Sequence, residues 1–167
     1  DAAKRAEASA KNVRVGIGYD IHRLAADRRL TLGGVAIEHP AGLVGHSDGD
    51  VLLHALMDAL LGAANLGDLG RHFPSEDPAF AGARSLELLR RVGGLVRERG
   101  LSVGSLDATV IAQAPRLAPH VQAMREAIAA ALGIDADRVS VKATTNDGLG
   151  TIGSGDAIAA LAIAHLD

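Results

Sequence analysis

Three side chains in the sequence have the types and the spacing of a metal site. Asp20 and His22 alternate on an extended segment after a glycine-rich strand end, so both can point to the same side. His54 is a polar residue in a long apolar helical stretch and must therefore face something polar. Two imidazoles and one carboxylate form a three-ligand set with an open coordination position, as catalytic Zn²⁺ sites do. The spacing therefore predicts a metal centre, and the simpler alternative for His54 is a buried core histidine bonded to a neighbouring carboxylate.

Two carboxylates lie one helical turn before and one turn after this histidine. Residues four apart stack on one helix face, so Asp50, His54 and Asp58 form a narrow polar stripe. We expect Asp58 to lie behind the ligands and to orient an imidazole. The same donor set also occurs in non-haem Fe(II) enzymes, but these are usually built on jelly rolls, whereas three helices are readable here.

The composition limits the classes of function that this chain can have. Lysines and arginines are scattered among acids at a net charge of −3, so the basic surface that nucleic acid requires is missing. Aromatic residues make up only 2%, which leaves almost nothing for base stacking. Because the sequence contains no cysteine, a metal must be held by histidine and carboxylate. The longest apolar run near the end is about half as long as a membrane helix, so we expect neither a nucleic-acid nor a membrane partner.

The pattern of helix and strand signals predicts one domain. Residues 1–12 carry no core pattern and are expected to be an N-terminal extension, linker or tag, which leaves residues 13–167 as the folded domain. Caps and stop glycines predict three helices, starting near Asp48, Ser85 and Pro119. Four strand regions are predicted, at residues 13–20, 29–39, 105–113 and 138–145.

The arrangement of these elements favours an α+β fold. Strands and helices mix without strict βαβ alternation, which predicts a single mixed four-stranded sheet with helices on one face. The apolar tail from Asp156 to Leu166 fits a buried strand or a short helix equally well. The stretch from Gly148 to Gly153 matches a dinucleotide-binding glycine pattern and follows a predicted strand, but it lies at the end of the domain, without the second strand and ribose-binding acid expected about 20 residues later. A flexible anion-binding or pore-lining loop is the better interpretation of this stretch.

Five motifs, taken together, resemble a known enzyme family. They are "GYDIH", "HSDGDVLLHALMDALLGAANLGDLG", "FPSEDPAF", "LDATVIAQAPRLAPH" and "VKATTNDGLG". Their order and spacing are similar to those of the 2-C-methyl-D-erythritol 2,4-cyclodiphosphate synthases, the cyclising enzymes of the non-mevalonate isoprenoid pathway, over about residues 14–166. The resemblance implies a chorismate-mutase-like homotrimer with active sites between subunits. It also implies a CMP-releasing lyase that turns 4-diphosphocytidyl-2-C-methyl-D-erythritol 2-phosphate into the cyclic diphosphate.

The resemblance also implies roles for individual residues. Asp20, His22 and His54 would bind Zn²⁺, and His46 and Thr145 would stabilise the transition state. Asp147 stands where the family has a glutamate that binds Mg²⁺ or Mn²⁺, and its shorter side chain leaves a water-bridged contact possible. The implied substrate-binding residues are Asp20, His22, His46, Ser47, Asp68, Leu69, Gly70, Phe73, Pro74, Ser75, Glu76, Asp77, Ala112, Gln113, Ala114, Pro115, Arg116, Leu117, Ala118, Lys142, Ala143, Thr144, Thr145, Asn146 and Asp147.

Partners and location are expectations from the same resemblance. An upstream cytidylyltransferase domain is expected if the protein occurs in a fused form. The location would be the cytoplasm in a bacterium or the plastid stroma in a eukaryote. A trimeric ligand-binding module that keeps the fold without turnover is the non-enzymatic alternative, in which substrate would bind without release of CMP.

Overall fold

The computed structural model describes residues 13–167, so the predicted extension, linker or tag at residues 1–12 lies outside the described residues. Strands and helices of these residues alternate irregularly along the chain. The strands are β1 (Arg14–Ala26), β2 (Leu30–Leu32), β3 (Val35–Ile37), β4 (Ala41–Leu43), β5 (Val103–Ile111), β6 (Val139–Thr144) and β7 (Ala157–Leu166), and the helices are α1 (Val51–Ala63), α2 (Leu69–His72), α3 (Ser85–Glu98), α4 (Val121–Leu132) and α5 (Gly150–Gly153).

The main sheet is mixed and has five strands in the order β4-β1-β7-β5-β6. The last strand, β7, lies at its centre and is antiparallel to both β1 and β5. β6 is parallel to β5 and forms one edge, while β2 and β3 form a separate hairpin. Because β1, β5 and β6 all run in the same direction, their carboxyl ends meet at one end of the sheet.

Helix α1 lies directly on β1, and two glycines of the strand make this approach possible. A Cβ atom on Gly16 would lie 2.0 Å from the carbonyl oxygen of Ala59, and one on Gly18 would lie 1.8 Å from that of Ala55. Any larger residue at these two positions would therefore push the helix away from the sheet. α3 covers α1 from outside and α4 packs beside α3, which completes a helical layer on one face.

The other face of the sheet is apolar over β1 and β7 and is not covered by the described residues. Every second residue of β1 points outward, and Ile17 is 68% and Tyr19 57% exposed. Two residues of the central strand, Leu161 and Ile163, are also exposed on this face. The exposed apolar residues here are Val13, Val15, Ile17, Tyr19, Ile21, Leu161 and Ile163, and we call this set the open sheet face.

The predicted α+β class with a mixed sheet is confirmed, whereas the predicted number of four strands is wrong. The tail, which fitted a strand or a helix, is the central strand of a five-stranded sheet. Residues 29–39 form the separate β2–β3 hairpin instead of joining the main sheet, and the short strand β4 supplies an edge. The three predicted helices are α1, α3 and α4, and α1 begins at Val51 after its cap, Asp50.

Among residues 13–167, each helix is too short or too polar to reach across a bilayer.

Candidate metal centre and substrate site

Asp20 and His22 lie on the helix-covered face of β1, next to α1. They continue the row of Gly16 and Gly18, since alternate residues of a strand share a face. The close approach of α1 to these glycines brings His54, on the second turn of the helix, against the end of this row. The predicted convergence of residues 32 or more positions apart in sequence therefore follows from the strand and helix packing.

One oxygen of Asp20 and one ring nitrogen of each histidine, His22 and His54, lie close together. Oδ2 of Asp20 lies 2.7 Å from Nε2 of His22 and 3.0 Å from Nδ1 of His54. The two imidazole nitrogens are 3.2 Å apart. One ligand atom from each residue thus lies within the spread that a single metal ion can bridge. Two nitrogen donors and one oxygen donor match Zn²⁺ in type, and they also suit other divalent transition metals.

The charges of the cluster favour an ionised carboxylate. Burial by itself would raise the pKa of Asp20, but hydrogen bonds and positive charge from His22 and His54 outweigh burial and lower the pKa to about 2. Burial would lower the pKa of His22, and its hydrogen bonds to Asp20 and to the Val44 carbonyl raise the pKa instead. The site therefore offers a permanent negative charge to a cation at neutral pH.

The nitrogen of each imidazole that faces away from the cluster also has a partner. Nδ1 of His22 contacts the carbonyl oxygen of Val44. Nε2 of His54 lies 3.0 Å from Oγ of Ser47 and 3.1 Å from Oγ of Ser85. Such outer partners fix ring orientation and tautomer at metal sites. The residues that hold the imidazoles are thus Val44, Ser47 and Ser85.

Asp58, which we predicted to orient an imidazole, lies in the same cavity and makes a backbone contact. Its Oδ1 accepts a hydrogen bond from the backbone nitrogen of Leu69 at 2.7 Å, so Asp58 fixes the start of α2. Burial raises the pKa of Asp58, against that hydrogen bond. Asp50 is fully buried and accepts from the backbone nitrogens of Gly33 at 2.9 Å and Gly34 at 2.8 Å, so it ties the β2–β3 turn to α1.

We call Asp20, His22 and His54 the metal-type cluster. A cavity of about 270 Å³ opens in front of it. His46 and Ser47 stand at one side of it, and Nε2 of His46 donates to the carbonyl oxygen of Asp77 at 3.0 Å. Phe73 and Phe80 form an apolar wall with their rings edge to face, 5.2 Å apart. The lining residues are Asp20, His22, His46, Ser47, His54, Asp58, Leu69, Gly70, Phe73, Ser75, Phe80 and Leu88.

Several residues implied by the resemblance support this cavity from outside its lining. The Asp68 carboxylate accepts from Arg71 N at 3.0 Å and caps α2. The Asp77 carboxylate accepts from Ala79 N at 2.9 Å and caps a short 3₁₀ turn. Pro74 and Glu76 also lie outside the lining. These positions shape the loop that carries Phe73 and Ser75.

The remaining predicted residues form a second group at the carboxyl ends of β5 and β6. The side-chain oxygen of Gln113 accepts a hydrogen bond from Gly148 N at 3.1 Å, which links the two loops. Thr145 Oγ1 lies 3.4 Å from Oδ1 of Asp147, whose backbone has a left-handed φ of 51°. Lys142 forms an ion pair with Asp107. The other residues of this group, at the ends of β5 and β6 and in the segments that follow them, are Ala112, Gln113, Ala114, Pro115, Arg116, Leu117, Ala118, Ala143, Thr144, Thr145, Asn146 and Asp147.

Strand register places Asp20 and Lys142 on opposite faces of the sheet. Asp20 pairs with Ala160 of β7, in the row that α1 covers. Lys142 pairs with Thr109, which pairs with Leu161 of the open sheet face. Residues in register across neighbouring strands share a face. Asp20 and Lys142 therefore lie on opposite sides of the same sheet.

Sequence reasoning missed Asp48 and Ser85 as parts of the site. The Ser85 side chain is fully buried and lies between Asp48 and His54. In the sequence both residues had only the signals of helix starts, because serine and aspartate are common caps. The juxtaposition of the loop before α1 with the start of α3, which brings them together, leaves no periodic signal.

Comparison with known proteins decides the family. The model of the YgbB family matches residues 13–167. The chain belongs to the YgbB family. A relative of this YgbB-family chain, the 2-C-methyl-D-erythritol 2,4-cyclodiphosphate synthase of Trichlorobacter lovleyi, is 58% identical over 154 residues, which cover 92% of this chain and 98% of the relative. The family resemblance of the five motifs is thus confirmed.

Two solved structures extend the comparison of the YgbB-family chain. The bifunctional IspDF of Campylobacter jejuni matches with a TM-score of 0.90 and 44% identity, over 93% of this chain and 42% of that protein. The IspF of Plasmodium falciparum, in a CDP complex, matches with a TM-score of 0.82 and 35% identity, over 95% of this chain and 97% of that one. YgbB-family relatives therefore occur both alone and as part of a bifunctional chain.

Proposed function

We infer that this chain is a 2-C-methyl-D-erythritol 2,4-cyclodiphosphate synthase. The proposed reaction turns 4-diphosphocytidyl-2-C-methyl-D-erythritol 2-phosphate into the 2,4-cyclodiphosphate and CMP. The observation that carries the proposal is the meeting of Asp20, His22 and His54 at the back of a cavity, in a chain 58% identical to a synthase of that name. The P. falciparum relative is a CDP complex, which supports a cytidine nucleotide as ligand.

The chemistry needs positive charge more than it needs proton transfer. An oxygen of the 2-phosphate attacks the terminal phosphorus of the diphosphate, and the bond from that phosphorus to the oxygen bridging to the CMP phosphate breaks, so CMP leaves with the electron pair. Each pair of unit charges about 4 Å apart repels by roughly 4 kcal/mol at an effective dielectric near 20. The nucleophile is already an anion, so positioning and charge neutralisation supply most of the catalysis.

Asp20, His22 and His54 are the residues that would hold zinc in this site. Bound there, zinc would act as a Lewis acid on the phosphate oxygens and offset their charge. The side chains around it do the rest of the work. Phe73 and Phe80 exclude water beside the carbon skeleton, and Ser47 presents a hydroxyl to the cavity. His46 lies at one side of the cavity, held by its bond to the Asp77 carbonyl, and is the residue proposed to stabilise the transition state.

The proposal includes a homotrimer with each active site between two subunits. The opposite placement of Asp20, in the metal-type cluster, and Lys142, of the predicted substrate residues, supports a site to which a neighbouring subunit contributes. The open sheet face offers the apolar surface that such a contact needs. In this arrangement Thr145 and Asp147 of one subunit would face the cavity of the next, with Asp147 near a second divalent ion, Mg²⁺ or Mn²⁺.

The test is CMP release together with the ³¹P spectrum of the product. We expect purified protein to release one CMP for each cyclic diphosphate formed, a chelator to stop turnover, and added Zn²⁺ to restore it. His54→Ala should lose turnover, while His39→Ala, at a histidine outside the cavity, should keep it. Substrate binding without CMP release would instead support the non-catalytic module, and activity restored by Fe²⁺ alone would support a non-haem iron enzyme.

A further inference from the structure

A chain of hydrogen bonds runs behind the metal-type cluster from Asp48 to His54. The two oxygens of the Asp48 carboxylate accept from the hydroxyl of Ser85 and, at 2.9 Å, from its backbone nitrogen. Oγ of Ser85 then lies 3.1 Å from Nε2 of His54. Ser85 is fully buried, so water does not replace either contact. These hydrogen bonds join the loop before α1 to the first residue of α3.

The donor and acceptor roles in these hydrogen bonds follow from the fact that a hydroxyl group has a single proton. Because Ser85 donates its proton to Asp48, its oxygen can only accept from Nε2 of His54. A proton on Nε2 leaves the lone pair of Nδ1 free. That nitrogen lies 3.0 Å from Asp20 and 3.2 Å from His22. When a metal ion takes the place of the proton that Nδ1 shares with Asp20, the remaining ring proton is held on Nε2 and Nδ1 is the atom left to bind the ion.

We propose that Asp48 is a positioning residue that acts through Ser85 to keep Nδ1 of His54 available as a metal ligand. The proposal rests on the metal site of the proposed function and adds a specific pair of residues to it. Asp48 is itself held in place, since its Oδ1 also lies 3.2 Å from the backbone nitrogen of Asp50 and its own nitrogen donates to the carbonyl oxygen of Ala83 at 3.0 Å.

Ser47 provides a matched comparison at the same ring nitrogen. Its Oγ lies 3.0 Å from Nε2 of His54, as close as that of Ser85. Within the hydrogen bonds of residues 13–167, however, the Ser47 hydroxyl proton has no acceptor that fixes its direction, so this hydroxyl can either donate or accept. Ser47 can fill the contact, but it does not select the tautomer of His54.

The first variant is Asp48→Asn, which keeps the size of the side chain and replaces one acceptor oxygen by a donor. The Oδ1 position of Asp48 faces Ser85 Oγ and the backbone N–H of Asp50, and the Oδ2 position faces the backbone N–H of Ser85, so the NH₂ of the asparagine opposes a backbone donor in either orientation. The variant therefore loses the fixed acceptor that directs the Ser85 proton away from Nε2 of His54. We expect the affinity for Zn²⁺, measured by competition with a chromogenic chelator, to fall by about 10- to 100-fold, as for other outer partners of metal-ligating histidines.

Two further variants separate positioning from general packing. Ser85→Ala should weaken Zn²⁺ binding by a similar factor, whereas Ser47→Ala should change it less than about threefold. In the zinc-loaded protein, the Nε2–H proton of His54 should give a slowly exchanging resonance in the wild type and in Ser47→Ala, and should exchange rapidly in Ser85→Ala. Melting temperatures of the metal-free variants report any general loss of structure.

The outcomes decide the proposal without reference to turnover. Equal losses of affinity in Ser47→Ala and Ser85→Ala, or wild-type affinity and an unchanged Nε2–H resonance in Ser85→Ala, would overturn it. If Asp48→Asn does not fold, the comparison of the two serine variants still gives the answer. A wild-type protein that binds Zn²⁺ tightly but releases no CMP would refute the proposed reaction and leave this test intact.

Discussion

Replacing Gly18 by alanine should separate the two halves of the metal-type cluster. The new Cβ would lie 1.8 Å from the carbonyl oxygen of Ala55, where real Cβ atoms keep at least 3.0 Å. α1 and β1 must therefore move apart by about 1.2 Å at this point. The contact lies next to both ligands, because Ala55 follows His54 directly and Gly18 is two residues before Asp20. Metal sites tolerate deviations of about 0.2 Å in ligand distance, so this displacement should abolish tight metal binding.

Gly62→Ala is the matched control for this substitution. Nothing lies within 4 Å of a Cβ at Gly62, which is near the end of the same helix. The stability of the control should rise by roughly 0.5–1 kcal/mol, because alanine is more favourable than glycine inside a helix. The stability of Gly18→Ala should fall by about 1–3 kcal/mol because of overpacking. Zn²⁺ affinity by chelator competition, circular dichroism and thermal unfolding are measured on both. A folded Gly18→Ala protein with wild-type Zn²⁺ affinity would refute the packing argument.

Two further predictions concern Asp50 and the open sheet face. Burial raises the pKa of Asp50 from 3.8 to about 6, so its contribution to stability is complete below pH 3.8 and is lost as the pH rises through 6. Between pH 5 and pH 8 the free energy of unfolding of the metal-free protein, measured with denaturant, should therefore fall by about 1.4 kcal/mol more than that of Asp50→Asn. Parallel pH profiles of the two proteins would contradict this. Ile17→Asp should convert the proposed trimer into monomers, since it places a charge in an apolar contact. Glu38→Ala, which lies outside the open sheet face, should leave the trimer intact. Analytical ultracentrifugation measures both, and a trimeric Ile17→Asp protein would contradict the proposed interface.

The metal-type cluster was predictable because its signals are local and strong. Alternation on a strand fixed the common side of Asp20 and His22, and an apolar helix made the isolated His54 conspicuous. The outer partners were not predictable, since Ser85 and Asp48 have the same residue types as ordinary helix caps. Only the packing of the start of α3 against the loop before α1 shows that they hold an imidazole.

The strand count failed for a different physical reason. β7 is buried at its first four positions in succession, so it lacks the alternation that identifies a half-covered strand. β4 has only three residues and follows Pro40, which gave it the pattern of a loop. The placement of Asp20 and Lys142 on opposite faces depends on the pairing of β1, β7, β5 and β6, and pairing over such separations cannot be predicted from one sequence.

The central claim is that Asp20, His22 and His54 together bind zinc in a working cyclase. X-ray anomalous scattering recorded on either side of the zinc edge, from crystals of active protein, tests it most directly. We expect one strong zinc peak for each chain, bonded to Oδ2 of Asp20, Nε2 of His22 and Nδ1 of His54. Side chains that point apart around a position without anomalous signal, or a peak that appears only at the iron edge, would contradict the assignment.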